Sequence, residues 1–398
     1  MHCQFKEILG ALVPLNDKKG LTRLVIMIDK DIVKNGAVMT LVEKYIFIRR
    51  RAKLYLKLRS VNKKKEIAPV VSNLFITEHC NIQCNYCYSV DNSIKKSEEL
   101  TTQQWLDLIS ELYKKGTRLF NIIGGEPVLR KDLSQIIEYI LSKDVICDVN
   151  TNLMLVKNDS PFLKTLSQAT QIFSSIDGRE AAHDLNRGHG SFKKTIQGLM
   201  AVRRIGLPVR INCTVTRHNI DDIDYLIDLA NTWNFFLTFS PLVRPRIYLR
   251  EKMTELTLSE EEARTFFKKV KEAKKKTGRI MNSDAALDYM INYPVDFDKI
   301  VYRTDSSGHS KYYNMPCPYG RTQFFFDSKG NVYPCQNMWN SSEFSPKNVI
   351  KHGVGRAIDN ASRLSCKFCS FGNLVEWNKF TTFSWLKNGI KMTMKQLS

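Results

Sequence analysis

The sequence predicts an α/β fold built on a parallel sheet, because short apolar strands alternate with amphipathic helices. Six strand candidates lie at 71–77, 118–123, 145–151, 171–176, 209–215 and 235–240. Five helical stretches separate them, near 101–115, 132–143, 161–168, 191–205 and 220–231, with Thr101 or Thr102 and Asp132 as expected caps of the first two. A partial barrel and an open Rossmann sheet fit this alternation equally well, so periodicity alone leaves the choice open.

The composition is that of a globular protein. With 43% hydrophobic and 25% charged residues among 398, wholesale disorder and fibrous classes are excluded. No apolar run reaches the roughly 18 residues of an ordinary membrane-spanning helix. The first residues, MHCQFKEILG, lack the pattern of a signal peptide, so we expect a cytoplasmic protein.

The charge is high and unevenly placed. The chain carries a net charge of +20, and residues 1–72 hold 16 Lys and Arg against 6 Asp and Glu. Residues 37–59 also place apolar side chains at helical spacing between basic ones: Val38, Leu41, Val42, Tyr45, Ile46, Ala52, Tyr55 and Leu56. Such a helix can lie in the interface at the inner face of a membrane, or it can dock on the barrel with its charges in water. Both interpretations stay open.

Three cysteines follow the first strand with the spacing C-x3-C-x2-C: Cys80, Cys84 and Cys87. In a cytosolic chain, clustered thiols indicate a metal or redox site before a disulfide. Three thiolates on one loop can hold a [4Fe–4S] cluster and leave its fourth iron open, whereas structural zinc favours four closed ligands. The triplet, with Tyr86 before its last cysteine, resembles the signature of the radical S-adenosylmethionine (SAM) superfamily.

Further motifs extend this resemblance. IIGGEPVL is similar to the family's GGE motif, the ends of the third and fourth strands are similar to positions that line the SAM ribose and the substrate cavity, and 183–192 resembles a stretch of peptide- and lipid-modifying members. The resemblance implies a partial (β/α)6 barrel, a SAM-binding [4Fe–4S] cluster, and a methionine ammonium held by Glu126. The implied cofactor-binding residues are Tyr86, Gly124, Gly125, Glu126, Asn150, Asn152, Ser175, Asp177 and Arg187. Asn152 and Asp177 are also residue types that cap turns.

A second set of cysteines has the spacing C-x17-C-x30-C-x2-C: Cys317, Cys335, Cys366 and Cys369. Four thiolates can hold an auxiliary [4Fe–4S] cluster or a structural zinc. The arrangement is similar to the SPASM/twitch extension of radical SAM enzymes, where a Gly-x4-Cys element such as 330–335 recurs. It has fewer cysteines than a full SPASM domain, so one auxiliary cluster is expected. Cys147 and Cys213 fall inside strands and are expected in the core, and Cys3 has no evident partner.

These observations predict four parts. They are a basic N-terminal accessory segment (1–69), a radical SAM core (70–243), a helical connector (244–311) and a small α+β auxiliary iron–sulfur domain (312–398). The resemblance implies reductive cleavage of SAM to a 5′-deoxyadenosyl radical that abstracts hydrogen from a substrate. An acidic electron donor such as ferredoxin or flavodoxin suits the basic surface.

The substrate stays open between two classes. The basic segment slightly favours a membrane-associated lipid or lipid-linked substrate, and a peptide or protein maturase is the alternative. A remote third interpretation, a metal-stabilised nucleic-acid-binding protein without enzymatic activity, leaves the GGE motif without a role, so no specific nucleic acid is expected. No general acid or base is predicted, since radical abstraction needs none.

Overall fold

The core of the molecule is a parallel sheet whose strands follow chain order. The computed structural model describes residues 41–87, 98–242, 255–293, 301–302, 317–339, 343–363, 366–370 and 375–377. Six parallel strands lie side by side: β1 (Val71–Phe75), β2 (Leu119–Ile123), β3 (Ile146–Asn150), β4 (Gln171–Ser175), β5 (Val209–Val215) and β6 (Phe236–Pro241). A doubly wound Rossmann sheet would reverse its strand order. The sequential order therefore confirms the α/β partial barrel.

The crossover helices cover one face of this sheet. They are α2 (Thr102–Lys115), α3 (Leu133–Ser142), α4 (Pro161–Leu166), α5 (Glu180–Arg187), α6 (Ser191–Arg204) and α7 (Ile223–Thr232), following an earlier helix, α1 (Leu41–Lys64). Leu74, Ile122 and Val149 pack against these helices in the main apolar core. Because side chains alternate along a strand, their neighbours Asn73 and Asn121 lie on the opposite, inner face.

The two expected helix caps have different outcomes. Thr101 caps α2, and its side chain and that of Gln104 form a reciprocal capping box. Asp132 stands before α3 but makes no capping bond. Asp132 thus occupies the expected N-cap position, but its carboxylate accepts hydrogen bonds from Arg130 at 2.7 Å and from the Thr102 hydroxyl at 2.6 Å in place of a capping bond.

The C-terminal part of the chain extends the same sheet. After α8 (Glu260–Lys276), α9 (Asp284–Ile291) and β7 (Val301–Tyr302), the sheet gains β8 (Gln323–Phe326), β9 (Asn331–Tyr333) and β10 (Lys347–Asn348). β8 pairs in parallel with β1, and the β8–β9 turn contains Gly330 at φ +87°. The helices α10 (Val349–His352) and α11 (Val354–Ala361) follow, and β11 (Cys366–Phe368) pairs with β7.

Helix α1 docks on the inner face, at the end of the sheet where the strands begin. Leu54, Leu58 and Val61 pack in one cluster with Val71, Leu119 and Ile146. The cations Arg49, Arg50 and Lys53 all contact the carboxylate of Asp144. Of the two interpretations of this segment, the structure shows the docked helix.

The buried stripe of α1 differs from the predicted one. Val42 was expected in the apolar stripe but is 65% exposed, whereas Phe47, Leu54 and Leu58 are buried. Apolar residues are spread around this helix, so the contact with the sheet, and not the local pattern, fixes which side is buried. No helix among the described residues is long and apolar enough to cross a membrane.

Candidate functional site

The cysteine loop that follows β1 is pinned to the end of β2 through backbone contacts. Gly125 N–H donates to the Thr77 carbonyl at 2.7 Å, and Glu126 N–H donates to the His79 carbonyl at 2.8 Å. A Cβ on Gly124 would lie 2.8 Å from the Thr77 oxygen, and one on Gly125 would lie 2.5 Å from the His79 carbonyl carbon. The two glycines are therefore required by the close approach of two backbones.

The three thiols of this loop influence one another. Burial, with smaller contributions from neighbouring cysteines, raises the pKa of the Cys80 thiol to about 11 and that of the Cys84 thiol to about 12. Among the described residues, no three Cys, His, Asp or Glu side chains converge closely enough to hold a metal ion in this arrangement. Metal binding would therefore have to displace thiol protons and draw the sulfur atoms together.

The surroundings of the thiols suit an iron–sulfur cluster. Cys84 and Tyr86 share an apolar cluster with Leu242 and Leu256, against which Cys87 also packs. Three soft donors on one short loop, with apolar side chains beside them, match the donor chemistry of such a cluster.

Glu126 is a buried carboxylate between the ends of β2 and β3. It is 0% exposed, and its oxygens accept hydrogen bonds from the backbone N–H groups of Asn152 at 2.7 Å and Val128 at 3.3 Å. Burial raises its pKa to about 7. A cation placed beside it would favour the ionised form. The environment therefore suits an ammonium group, and the predicted role of Glu126 stays a prediction.

Asn152 connects the end of β3 to the cysteine loop. Its side-chain N–H donates to Asn81 Oδ1 at 2.8 Å and also faces Cys80 Sγ at 3.9 Å. Its Oδ1 accepts from the backbone of Met154, so Asn152 also caps a turn, as the alternative held. The structure thus brings together Cys80, Glu126 and Asn152.

Tyr86, Asp177 and Arg187 form a buried network. Asp177 Oδ2 accepts from the Tyr86 hydroxyl at 2.5 Å and from Arg187 Nε at 2.7 Å. Asp177 Oδ1 accepts from Arg187 Nη2 at 3.3 Å and from the Thr214 backbone N–H at 3.1 Å. Both oxygens of Asp177 are thus engaged within the protein, and its side chain is 0% exposed.

The 183–192 stretch contacts this network through His183. His183 is fully buried, its Nδ1 accepts the Asp177 N–H at 3.2 Å, and burial lowers its pKa to about 4. Asp184 accepts from the backbone N–H groups of Gly190 and Phe192 at the start of α6. An anion at a helix N-terminus is stabilising. His183 and Asp184 thus accept hydrogen bonds from backbone groups at the end of β4 and at the start of α6.

A row of asparagines crosses the inner wall of the sheet. Asn150 donates to Asn121 at 2.6 Å, Asn121 donates to Asn73 at 3.0 Å, and Asn73 donates to the Phe324 carbonyl on β8 at 3.2 Å. On the far side, the hydroxyl of Ser240 contacts Asn212 Oδ1 at 2.8 Å. We call Asn73, Asn121 and Asn150 the asparagine row.

Sequence reasoning found only Asn150 of the asparagine row. The available signal was an asparagine at an inner position of each of three neighbouring strands, β1 to β3. Ser175, at the end of β4, is partly exposed and pairs in register with Asn212 on β5.

Three cysteines of the second set lie near Tyr319. Burial raises the pKa of this phenol well above its usual value, and Cys317, Cys335 and Cys369 raise it further, which places the three thiols near one side chain. Cys366 lies on β11, whose backbone alone is described. Cys147 and Cys213 lie in the apolar core, as expected. Cys3 and residues 37–40 lie outside the described residues.

Part of this chain matches a family of known proteins. Residues 74–230 match the radical SAM superfamily. The Fe-coproporphyrin III synthase of Methanosarcina barkeri is 31% identical over 157 residues, which cover 39% of this chain and 39% of that protein. The mycofactocin maturase MftC of Mycolicibacterium smegmatis is 30% identical over 177 residues, which cover 44% and 45%. The chain thus spans less than half the length of these curated relatives.

Solved structures agree on the fold over a longer stretch. Streptococcus suis SuiB bound to its precursor peptide SuiA superposes with a TM-score of 0.59 at 14% identity, over 80% of this chain and 75% of that one. Native anSMEcpe with bound AdoMet gives 0.57 at 17% identity, over 81% and 99%. At these identities the likeness concerns the fold alone.

Proposed function

The chain belongs to the radical SAM superfamily through residues 74–230, and we propose that it is an enzyme that cleaves SAM reductively to modify a peptide. The cofactors of this superfamily are a [4Fe–4S] cluster and SAM, as the sequence predicted. Once bound, the two supply a 5′-deoxyadenosyl radical, which takes a hydrogen atom from the substrate. The protein's own part is to hold, orient and shield them.

Different residues of the described part of the chain would hold, orient and shield the cofactors. Cys80, Cys84 and Cys87 would ligate three irons, and the two glycines of the GGE motif hold the loop at the end of β2. Glu126 would accept hydrogen bonds from the methionine ammonium. Leu242 and Leu256 lie against the loop and restrict its contact with water.

The asparagine row carries the proposal of a peptide substrate. A carboxamide has both a donor and an acceptor and no net charge, which matches the groups of a peptide backbone. The inner wall between α1 and the cysteine loop is lined by such groups. A lipid chain would instead require apolar side chains there.

Two further observations favour the peptide over the lipid class. The interpretation of a lipid substrate depended on the basic helix, and Leu54, Leu58 and Val61 of α1 are packed on the sheet, where they are not available to a membrane. Among the relatives, MftC is a mycofactocin maturase, and SuiB was solved with its precursor peptide. The docking of α1 on the sheet counts against the expected contact of 37–59 with a membrane.

Deuterium transfer tests both the activity and the substrate class. The anaerobically reconstituted protein is incubated with SAM, a strong reductant, and either a tryptic digest of a deuterated bacterial proteome or vesicles of deuterated phospholipid. We expect 5′-deoxyadenosine in both reactions and deuterium in it only with the peptides. Deuterium from the lipid alone, or none from the peptides, would reject the peptide class. Absence of 5′-deoxyadenosine would reject the activity.

The remaining assignments complete the proposal. The chain would divide into four parts, with boundaries after residues 69, 243 and 311. In the last part, one auxiliary [4Fe–4S] cluster would be held by Cys317, Cys335, Cys366 and Cys369. An acidic ferredoxin or flavodoxin would supply electrons to this chain of net charge +20. Iron analysis tests the auxiliary cluster: about eight irons per chain support it, and about four irons with one zinc contradict it.

A further inference from the structure

The cysteine loop contains no charged side chain of its own. Residues 80–87 read CNIQCNYC, so a charge near the three thiols comes from residues outside this stretch. α5 supplies one, because Arg187 at its end lies over the ring of Tyr86, the residue before Cys87. The Arg187 side chain is only 11% exposed, so solvent screens its charge little.

The loop is fastened directly to the end of α5. Asn85 donates its backbone N–H to the Asn186 carbonyl at 2.9 Å and its side-chain N–H to the Leu185 carbonyl at 2.6 Å. The next residue, Tyr86, lies under the Arg187 guanidinium, whose carbon is 5.5 Å from the ring centroid. Every movement of α5 would therefore be transmitted to the two cysteines on either side of Tyr86.

Asp177 completes the arrangement from the end of β4. It receives the Tyr86 hydroxyl and two Arg187 nitrogens, and it is 0% exposed. The loop thus meets a buried ion pair with the cation and the anion at fixed places.

We propose that Arg187 is a positioning residue that, together with Asp177 and Tyr86, fixes the cysteine loop and sets the reduction potential of the cluster held there. The proposal rests on the proposed function. It adds a role at the cluster loop to the cofactor contact that the resemblance implied for these three residues.

The physical reason is the sign of the two buried charges. One-electron reduction adds a negative charge to a cluster, and the potential depends on nearby charge, hydrogen bonds and exposure. In a poorly screened interior, a cation stabilises the reduced form and an anion destabilises it. Loss of Arg187 and loss of Asp177 should therefore shift the potential in opposite directions.

The test is a redox titration of reconstituted protein, followed by electron paramagnetic resonance. The signal to follow is the one that changes when SAM is added, because only a cluster with an open iron binds SAM. We expect Arg187→Gln to shift the midpoint to more negative values and Asp177→Asn to shift it to more positive values. Arg187→Lys, which keeps the charge, should shift it less than Arg187→Gln.

Arg179→Gln is the matched control. Arg179 also pairs with an aspartate, Asp222, but its side chain is 58% exposed and its partner lies outside the network. Its midpoint should equal that of the wild type. Equal midpoints in all variants, or shifts of the same sign for Arg187→Gln and Asp177→Asn, would overturn the inference. If Arg187→Gln or Asp177→Asn binds no iron, Tyr86→Phe takes its place, because it removes only the hydroxyl that donates to Asp177. An unchanged midpoint in Tyr86→Phe would then count against the inference. A wild type without any SAM-responsive signal would instead contradict the proposed function.

Discussion

Replacing Gly125 by alanine should disrupt the site while leaving the fold intact. The new Cβ would lie 2.5 Å from the His79 carbonyl carbon, whereas an ordinary contact is 3.4–4 Å. The segment that enters the cysteine loop would thus have to retreat by about 1 Å, at the cost of roughly 1–3 kcal/mol that is typical of overpacking. That retreat breaks the hydrogen bonds from Gly125 and Glu126 to residues 77 and 79. We therefore expect Gly125→Ala to retain a cooperative unfolding transition but to lose the SAM-responsive cluster.

The assay compares iron content, the SAM-responsive resonance signal and the free energy of unfolding. Gly278→Ala is the matched control, because a Cβ there would meet nothing within 4 Å and the residue has no positive φ. It should behave like the wild type in all three measurements. Normal iron content and normal response to SAM in Gly125→Ala would refute the argument that the glycines are needed for this close approach.

Three other predictions concern the helix and the buried carboxylate. Leu58→Ala should lower the free energy of unfolding by about 2–5 kcal/mol in denaturant titrations, because Leu58 is buried against the sheet, whereas the exposed Val42→Ala should change it little. The whole protein should not float with anionic liposomes, and flotation that is lost on deletion of residues 41–64 would contradict the docked helix. In the metal-free protein, Glu126 binds its proton more tightly when folded, since its pKa rises from 4.5 to about 7. Its contribution to stability, on the order of 3 kcal/mol, is present below pH 4.5 and is lost as the pH rises to about 7. Glu126→Gln should therefore flatten the pH dependence of the free energy of unfolding between these two pH values. An unchanged slope would contradict the assignment.

The strands could be predicted because each is a short apolar run that is buried on at least one face. The sequence missed α5 because its eight residues, EAAHDLNR, are mostly polar and are held by buried contacts of His183 and Asn186. The parallel pairing of β8 with β1 places Val71 opposite Gln323. This pairing could not be predicted, because no local sequence pattern indicates a partner strand so distant in the chain. The buried side of α1 was likewise decided by the sheet.

The sequence predicted those parts of the candidate site whose residues are close together in the chain. The spacing of Cys80, Cys84 and Cys87 and the two glycines of the GGE motif predicted a cluster loop, and the structure places this loop against the end of β2. The ion pair of Asp177 with Arg187 was not predictable, because both residues looked like cavity polar groups and only the fold turns them toward Tyr86. The asparagine row was missed for the same reason, since its members come from three separate strands.

The most direct test of the proposed enzyme is SAM cleavage by the reconstituted protein and by the triple variant Cys80→Ala, Cys84→Ala, Cys87→Ala. Under strong reductant, the wild type should form 5′-deoxyadenosine, and the triple variant should form none while binding about four fewer irons. Equal 5′-deoxyadenosine from both proteins, or none from a well-folded, iron-loaded wild type, would contradict the account.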